Sequence, residues 1–159
     1  MDGNTFKGKC VVGTINGTDI SFGTAVQFNG TDNVETVSTG YDPIAKKIIV
    51  TYRDSGDSNK GKLIEGTVSG TSITFGSEKV FNDADSYIPV STFDSSNNKV
   101  VIAFKDIGDS AKGKAVVYES VASSTNLTTE NYIGIAAEAI SNGATGKVTI
   151  FGGTNSGQT

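Results

Sequence analysis

Tyr41 to Lys62 reads YDPIAKKIIVTYRDSGDSNKGK, and Phe93 to Lys114 reads FDSSNNKVVIAFKDIGDSAKGK. The two stretches align without a gap. In each, a turn (Asp42-Pro43, then Asp94 to Asn98) leads into a run of period two. Ile48, Val50 and Tyr52 alternate with Ile49, Thr51 and Arg53; Val100, Ile102 and Phe104 alternate with Val101, Ala103 and Lys105. β-Branched and aromatic residues in this alternation predict strands over Lys47 to Arg53 and Lys99 to Lys105. Both faces are largely apolar, so each strand is expected inside a packed sheet and not on its rim.

The likeness extends outward. VVGTINGTDISFGTAVQF (Val11 to Phe28) matches IEGTVSGTSITFGSEKVF (Ile64 to Phe81), and Lys-Gly-Lys recurs around Gly8, Gly61 and Gly113, at steps of 53 and 52. A period of this length marks one supersecondary unit used several times. Each unit reads as four strands. The first ends at Tyr41, with its counterpart over Tyr87 to Phe93. The second is the run above. The third spans Gly61 to Val68 and closes in a tight hairpin at Ser69-Gly70, as Asn16-Gly17 does earlier. The fourth spans Ser72 to Phe81, with a bulge or kink expected at Phe75-Gly76.

The predicted fold is therefore all-β: four-stranded antiparallel, blade-like repeats of about 52 residues, β-propeller-like. The units fall at about 1–33, 34–86 and 87–120, which is about two and a quarter blades where a closed propeller takes roughly four to eight. Open ends of this kind predict a homo-oligomer, a dimer or trimer, or a place in a longer array. From Val121 the repeat stops, and 121–159 is expected to be a linker followed by a β-rich tail. Within it Ser123 to Thr129 is polar. Glu130 to Ile140 carries helix-favouring Ala136, Ala137 and Ala139 but also Gly134 and β-branched Ile133 and Ile135. Asn142-Gly143 signals a turn into a strand at Lys147 to Phe151.

Composition narrows the chemistry. The chain has 159 residues, 20 glycines, a net charge of −4 and no Lys/Arg cluster longer than a pair, which argues against nucleic acid as a partner. Apolar runs of about five residues predict no membrane insertion. The start, MDGNTFKGKC, has no apolar core and predicts no signal peptide. The single cysteine, Cys10, aligns with Leu63 and Ala115 and reads as a small buried hydrophobe. The sequons at Asn16, Asn29 and Asn126 read as turns.

There is no histidine, so histidine-based catalysis and histidine metal sites are excluded. No phosphate loop is present, and no cofactor is expected. Carboxylates recur instead: Asp42 with Asp94, Asp54 with Asp106, Asp57 with Asp109. Acids repeated once per unit beside Gly and Ser are expected to cap turn amides, whereas a catalytic acid needs a singular environment. The loops from Asp54 to Gly61 and Asp106 to Gly113 are oxygen-rich, but each contains a lysine and fails the EF-hand pattern, so no metal is expected. Arg53-Asp54 and Lys105-Asp106 are the candidate ligand-binding residues: a cation and an acid at a strand end, once per unit, suit weak, multivalent glycan contact. A solvated ion pair is the competing reading, and Tyr52 and Phe104 are expected in the core.

The repeat, GTVSGTSITFGSEKVF followed by D-x-x-x-N-K-V-V-I-A-F-K-D, resembles tail-fibre-like proteins of marine bacteriophages and related metagenomic reading frames. The tail, NLTTENYIGIAAEAISNGATGKVTIFGG, resembles a module that follows such repeats. The matches run from about residue 7 to 153. In those relatives more repeats usually precede and a β-rich stretch follows, so the resemblance implies a fragment. It also implies a non-catalytic structural or interaction module of a tail appendage, located on the virion or outside the cell and meeting a host surface. Two alternatives stand beside it: a lectin-like propeller and, behind both, a glycoside hydrolase.

Overall fold

A computed structural model describes residues 7–30 and 33–120, together with the backbone of Ile135–Ala136 and Val148–Thr149. Among the described residues every regular element is a strand. In chain order these are β1 (Lys9–Cys10), β2 (Gly13–Asn16), β3 (Asp19–Phe22), β4 (Val26–Gln27), β5 (Val34–Asp42), β6 (Lys47–Asp54), β7 (Lys60–Ser69), β8 (Ser72–Phe75), β9 (Lys79–Asp94), β10 (Lys99–Asp106), β11 (Lys112–Tyr118), β12 (Ile135–Ala136) and β13 (Val148–Thr149). All pairings are antiparallel. The main sheet runs β11-β10-β9-β7-β6-β5, with β8 also on β7; β1 pairs β4 and β2 pairs β3.

β9 is the hinge of this arrangement. Its first part joins β7, from Leu63 opposite Lys79 to Lys60 opposite Asp85, and its second part joins β10, from Asp106 opposite Ser86 to Lys99 opposite Asp94. The fourth strand of one unit thus runs on into the first strand of the next without a turn. The break expected at Phe75-Gly76 is present, since β8 ends at Phe75 and β9 starts at Lys79. No closed barrel or ring forms among the described residues.

The period of two in β6 distributes its side chains between two cores. Val50 and Tyr52 pack with Phe28, Val34 and Ile64, joined at the edge by Cys10, Ile48 and Phe75. Ile49 packs the other way, with Leu63, Val100, Ile102 and Phe104, joined by Phe81, Phe93, Val116 and Tyr118. β6 is thus covered on both faces, as its two-faced apolar pattern requires. β10 is not. Val100, Ile102 and Phe104 are buried, while Ala103 and Lys105 are exposed and Val101 is half-buried. β10 does lie inside its sheet, between β9 and β11, as expected, but no further sheet among the described residues covers its second face. Cys10 is half-buried at the core's edge, and burial raises its thiol pKa.

The repeat is also written in the backbone. Four pairs of non-glycine residues, 52 positions apart, share positive φ: Thr36 and Ile88, Lys46 and Asn98, Ser58 and Ser110, Asn59 and Ala111. The first pair marks a bulge where β5 slips against β6 and β9 against β10. The hairpin glycines Gly17 and Gly70 have φ of 62° and 58°, the left-handed conformation that a two-residue turn demands.

Lys-Gly-Lys also acquires a reason. The Phe28 ring lies where a Cβ on Gly8 would stand, and the Phe81 ring does the same at Gly61. Nothing occupies the equivalent space at Gly113. Asn29, read from sequence as a turn residue, is buried, and its Oδ1 accepts the Gly8 amide at 2.8 Å. The sequon at Asn126 lies outside the described residues.

The chain divides into two compact units, residues 1–122 and 123–159. In the second, Ile135 lies opposite Thr149 and Ala136 opposite Val148 in an antiparallel pair. Residues 135–136 are therefore extended, against a helix through 130–140, because β-branched Ile135 and nearby Gly134 outweigh the alanines. The rest of that segment, including the expected linker at 123–129, lies outside the described residues.

Candidate functional site

The units at 34–86 and 87–120 each end their second strand at an aspartate that organises the turn behind it. Asp54 Oδ1 accepts the amides of Gly56 and Asp57 at 3.1 and 3.2 Å. Lys60 N–H then donates to the Asp57 carbonyl at 3.1 Å, across Ser58 and Asn59 in the left-handed region. The chain returns with Lys62 opposite Tyr52, so its side chain reaches back to the turn. Lys62 Nζ stands 2.7 Å from Asp54 Oδ2, 2.9 Å from Asp57 Oδ2 and 3.7 Å from Glu78 Oε2. Glu78 Oε1 in turn accepts the buried Tyr52 hydroxyl at 2.7 Å.

The next unit repeats the design. Asp106 Oδ1 accepts the Asp109 amide at 3.2 Å, and Lys114 Nζ bridges Asp106 Oδ2 at 2.8 Å and Asp109 Oδ2 at 2.9 Å. Lys112 pairs with Asp109 Oδ1 at 2.8 Å, as Lys60 pairs with Asp57 Oδ1 at 3.2 Å. The first-strand turns are built likewise. Asp42 Oδ1 accepts the amides of Ile44 and Ala45 at 2.9 and 3.0 Å, and Asp94 Oδ1 those of Ser96 and Asn97 at 2.9 and 3.4 Å.

These contacts fix the protonation states. Hydrogen bonds from Lys62 and Lys60 hold the Asp57 carboxyl below the usual range; Lys114 does so for Asp106, and Lys112 with Lys114 for Asp109. Burial works against the Lys62 ammonium, but its bonds to Asp54 and Asp57 outweigh it and raise the pKa. Asp57, Asp106 and Asp109 are thus firmly ionised acceptors, unsuited to donate a proton near neutral pH. The position that a cation would take among Asp54, Asp57 and Glu78 is held by the Lys62 ammonium.

The sequence neighbours Arg53 and Asp54 do not pair with each other. Successive strand residues point to opposite faces. Arg53 is on the other side, with Nε 3.0 Å from Asp85 Oδ1, Nη1 bonded to Glu35, and the guanidinium 5.9 Å from the Tyr87 ring centre. Its hydrogen bonds to Asp85 and Glu35 raise its pKa further, against the cost of burial. Lys105 lies directly opposite Tyr87 across the β9–β10 pair and is exposed, while Asp106 is buried.

The four candidate residues therefore do not form one site. Asp54 and Asp106 each sit inside their own turn, Arg53 lies over Tyr87, and Lys105 is Tyr87's register partner on β10. Tyr87, Glu78 and the lysines that follow Gly61 and Gly113 were given no role from sequence. The constant eight-residue spacing from Asp54 to Lys62 and Asp106 to Lys114 was the available signal. Comparison with protein-family models, curated proteins and solved structures returns no match.

Proposed function

We propose that the chain is a non-catalytic structural and interaction module of a phage-like virion appendage, built from four-stranded, propeller-blade-like repeats that continue beyond one copy. One observation carries the reading: Asp54 and its repeat counterpart Asp106 each accept turn amides through one oxygen and a lysine through the other. Residues that recur with the architecture and complete their hydrogen bonding internally are framework parts. The virion setting rests on the resemblance of the repeat and tail. The test is to assay the purified chain on a panel of oligosaccharides. No turnover is expected; turnover that Asp106→Asn removes without lowering the melting temperature would overturn the reading.

A lectin-like role is the second reading, and Tyr87 favours it. Its ring is exposed, with the Arg53 guanidinium 5.9 Å from its centre and Lys105 opposite it in the β9–β10 register. Glycan-array binding lost in Tyr87→Ala would establish it.

A further inference from the structure

We propose that the chain associates head to tail with a second copy of itself, the outer face of β9–β11 in one copy receiving the β1–β3 face of the next. This rests on reading the repeat as an interaction module, and names its partner. The observation is a contrast between equivalent positions. Ile49 and Leu63 are 0% and 2% exposed because Val100, Ile102 and Phe104 of the following unit lie on them. Fifty-two positions on, Val101 and Ala115 take the same places on β10 and β11. Around them Val90 and Val117 are 53% and 69% exposed. A face that is an interface inside the chain has no other described residue packed over it where the described repeats stop.

The other end is its complement. Ile73 is buried, and the Phe75 ring packs 5.9 Å from that of Phe28 in the preceding unit. Their counterparts Ile20 and Phe22 are 53% and 64% exposed, and Val11, the counterpart of buried Ile64, is also exposed. Both hairpins are already shaped alike: Gly13 lies under Ile20 and Phe22 as Gly66 lies under Ile73 and Phe75. Inside the chain, this kind of face is covered by a sheet of the same repeat. A second copy brings that sheet at its free end, in continuity with the two interfaces already formed. Because the two surfaces differ, the contact is heterologous.

The test uses the full chain and two variants at exposed positions, Val117→Glu and Phe22→Ser, with mass by light scattering at tens of micromolar. Wild type is expected at a multiple of 16.4 kDa. Each variant alone is expected as a monomer with an unchanged melting temperature. Mixed one to one, they are expected to form a dimer and nothing larger, since each retains the surface that the other has lost. Three outcomes overturn the proposal. One is a monomeric wild type. Another is Phe22→Ser at wild-type mass, which means that the face pairs with itself. The third is Val117→Glu with a lowered melting temperature and unchanged mass, which means that the chain's own residues cover it. Turnover on sugars in an assembling protein would sink the functional reading and leave this one intact.

Discussion

Lys62 holds its ammonium 2.7 Å from Asp54 Oδ2, and Lys114 repeats the contact with Asp106 at 2.8 Å, yet the two lysine side chains are 10% and 39% exposed. Equivalent ion pairs in unequal surroundings have unequal consequences when broken. Asp54→Asn keeps a turn-capping oxygen but leaves a buried cation short of its nearest carboxylate. The expected loss is about 2 kcal/mol, less than the 3–5 of a fully orphaned buried charge because Asp57 remains. Asp106→Asn is expected to cost less than Asp54→Asn, because Lys114 is the more exposed lysine and keeps Asp109 as a partner. Urea denaturation of both variants checks the difference; equal losses would contradict it.

The Lys-Gly-Lys motif yields a second contrast. Gly61→Ala drives a methyl group into the Phe81 ring and is expected to cost roughly 1–3 kcal/mol, the range of overpacking. Gly113→Ala meets open space and is expected to be neutral or slightly stabilising, since alanine restricts the unfolded chain. Thermal melts decide this, and a large loss at Gly113 would count against the packing described.

Ala111 adopts φ of 61° where its counterpart Asn59 adopts 62°. Asparagine tolerates the left-handed region better than alanine does. Ala111→Asn is therefore expected to raise stability by roughly 0.5–1 kcal/mol, read as an increased melting temperature.

Acid dependence follows from the lowered carboxyl pKa values of Asp57, Asp106 and Asp109. A carboxyl whose folded pKa lies below its unfolded value of 3.8 stabilises fully above that value and loses the contribution as pH falls through the folded one. Lys60, Lys62 and Lys114 are shifted the other way, above 10.5, so their contribution is full below that pH and fades as pH rises through the folded values. A plateau between the two limits is expected, with loss of stability below about pH 4. A melting temperature that rose on acidification through that range would contradict the ion-pair network.

Much of this was legible in the sequence. The alternation in Ile48 to Arg53 fixes β6 and its two faces, Ser69-Gly70 the β7–β8 hairpin, and the recurrent aspartates their turns. What escaped depends on distance along the chain. The seat of Gly61 is set by a ring 20 residues later, and the Tyr52 hydroxyl is answered by Glu78, 26 residues on. Arg53-Asp54 looked like one site because the residues are adjacent, and the pleat that sends them apart is the same period of two that identified the strand. The passage of β9 from pairing with β7 to pairing with β10 carries no turn signal, since nothing turns there.

Consecutive units stack face to face, with Ile49 and Leu63 on one side and Val100 and Ile102 on the other. Methyl-labelled NMR measures this directly. Cross-peaks from the Ile49 and Leu63 methyls to those of Val100 and Ile102 are expected, persisting at dilutions where any oligomer has dissociated. A folded protein whose Ile49 methyls show no contact with Val100 or Ile102 would rule this stacking out.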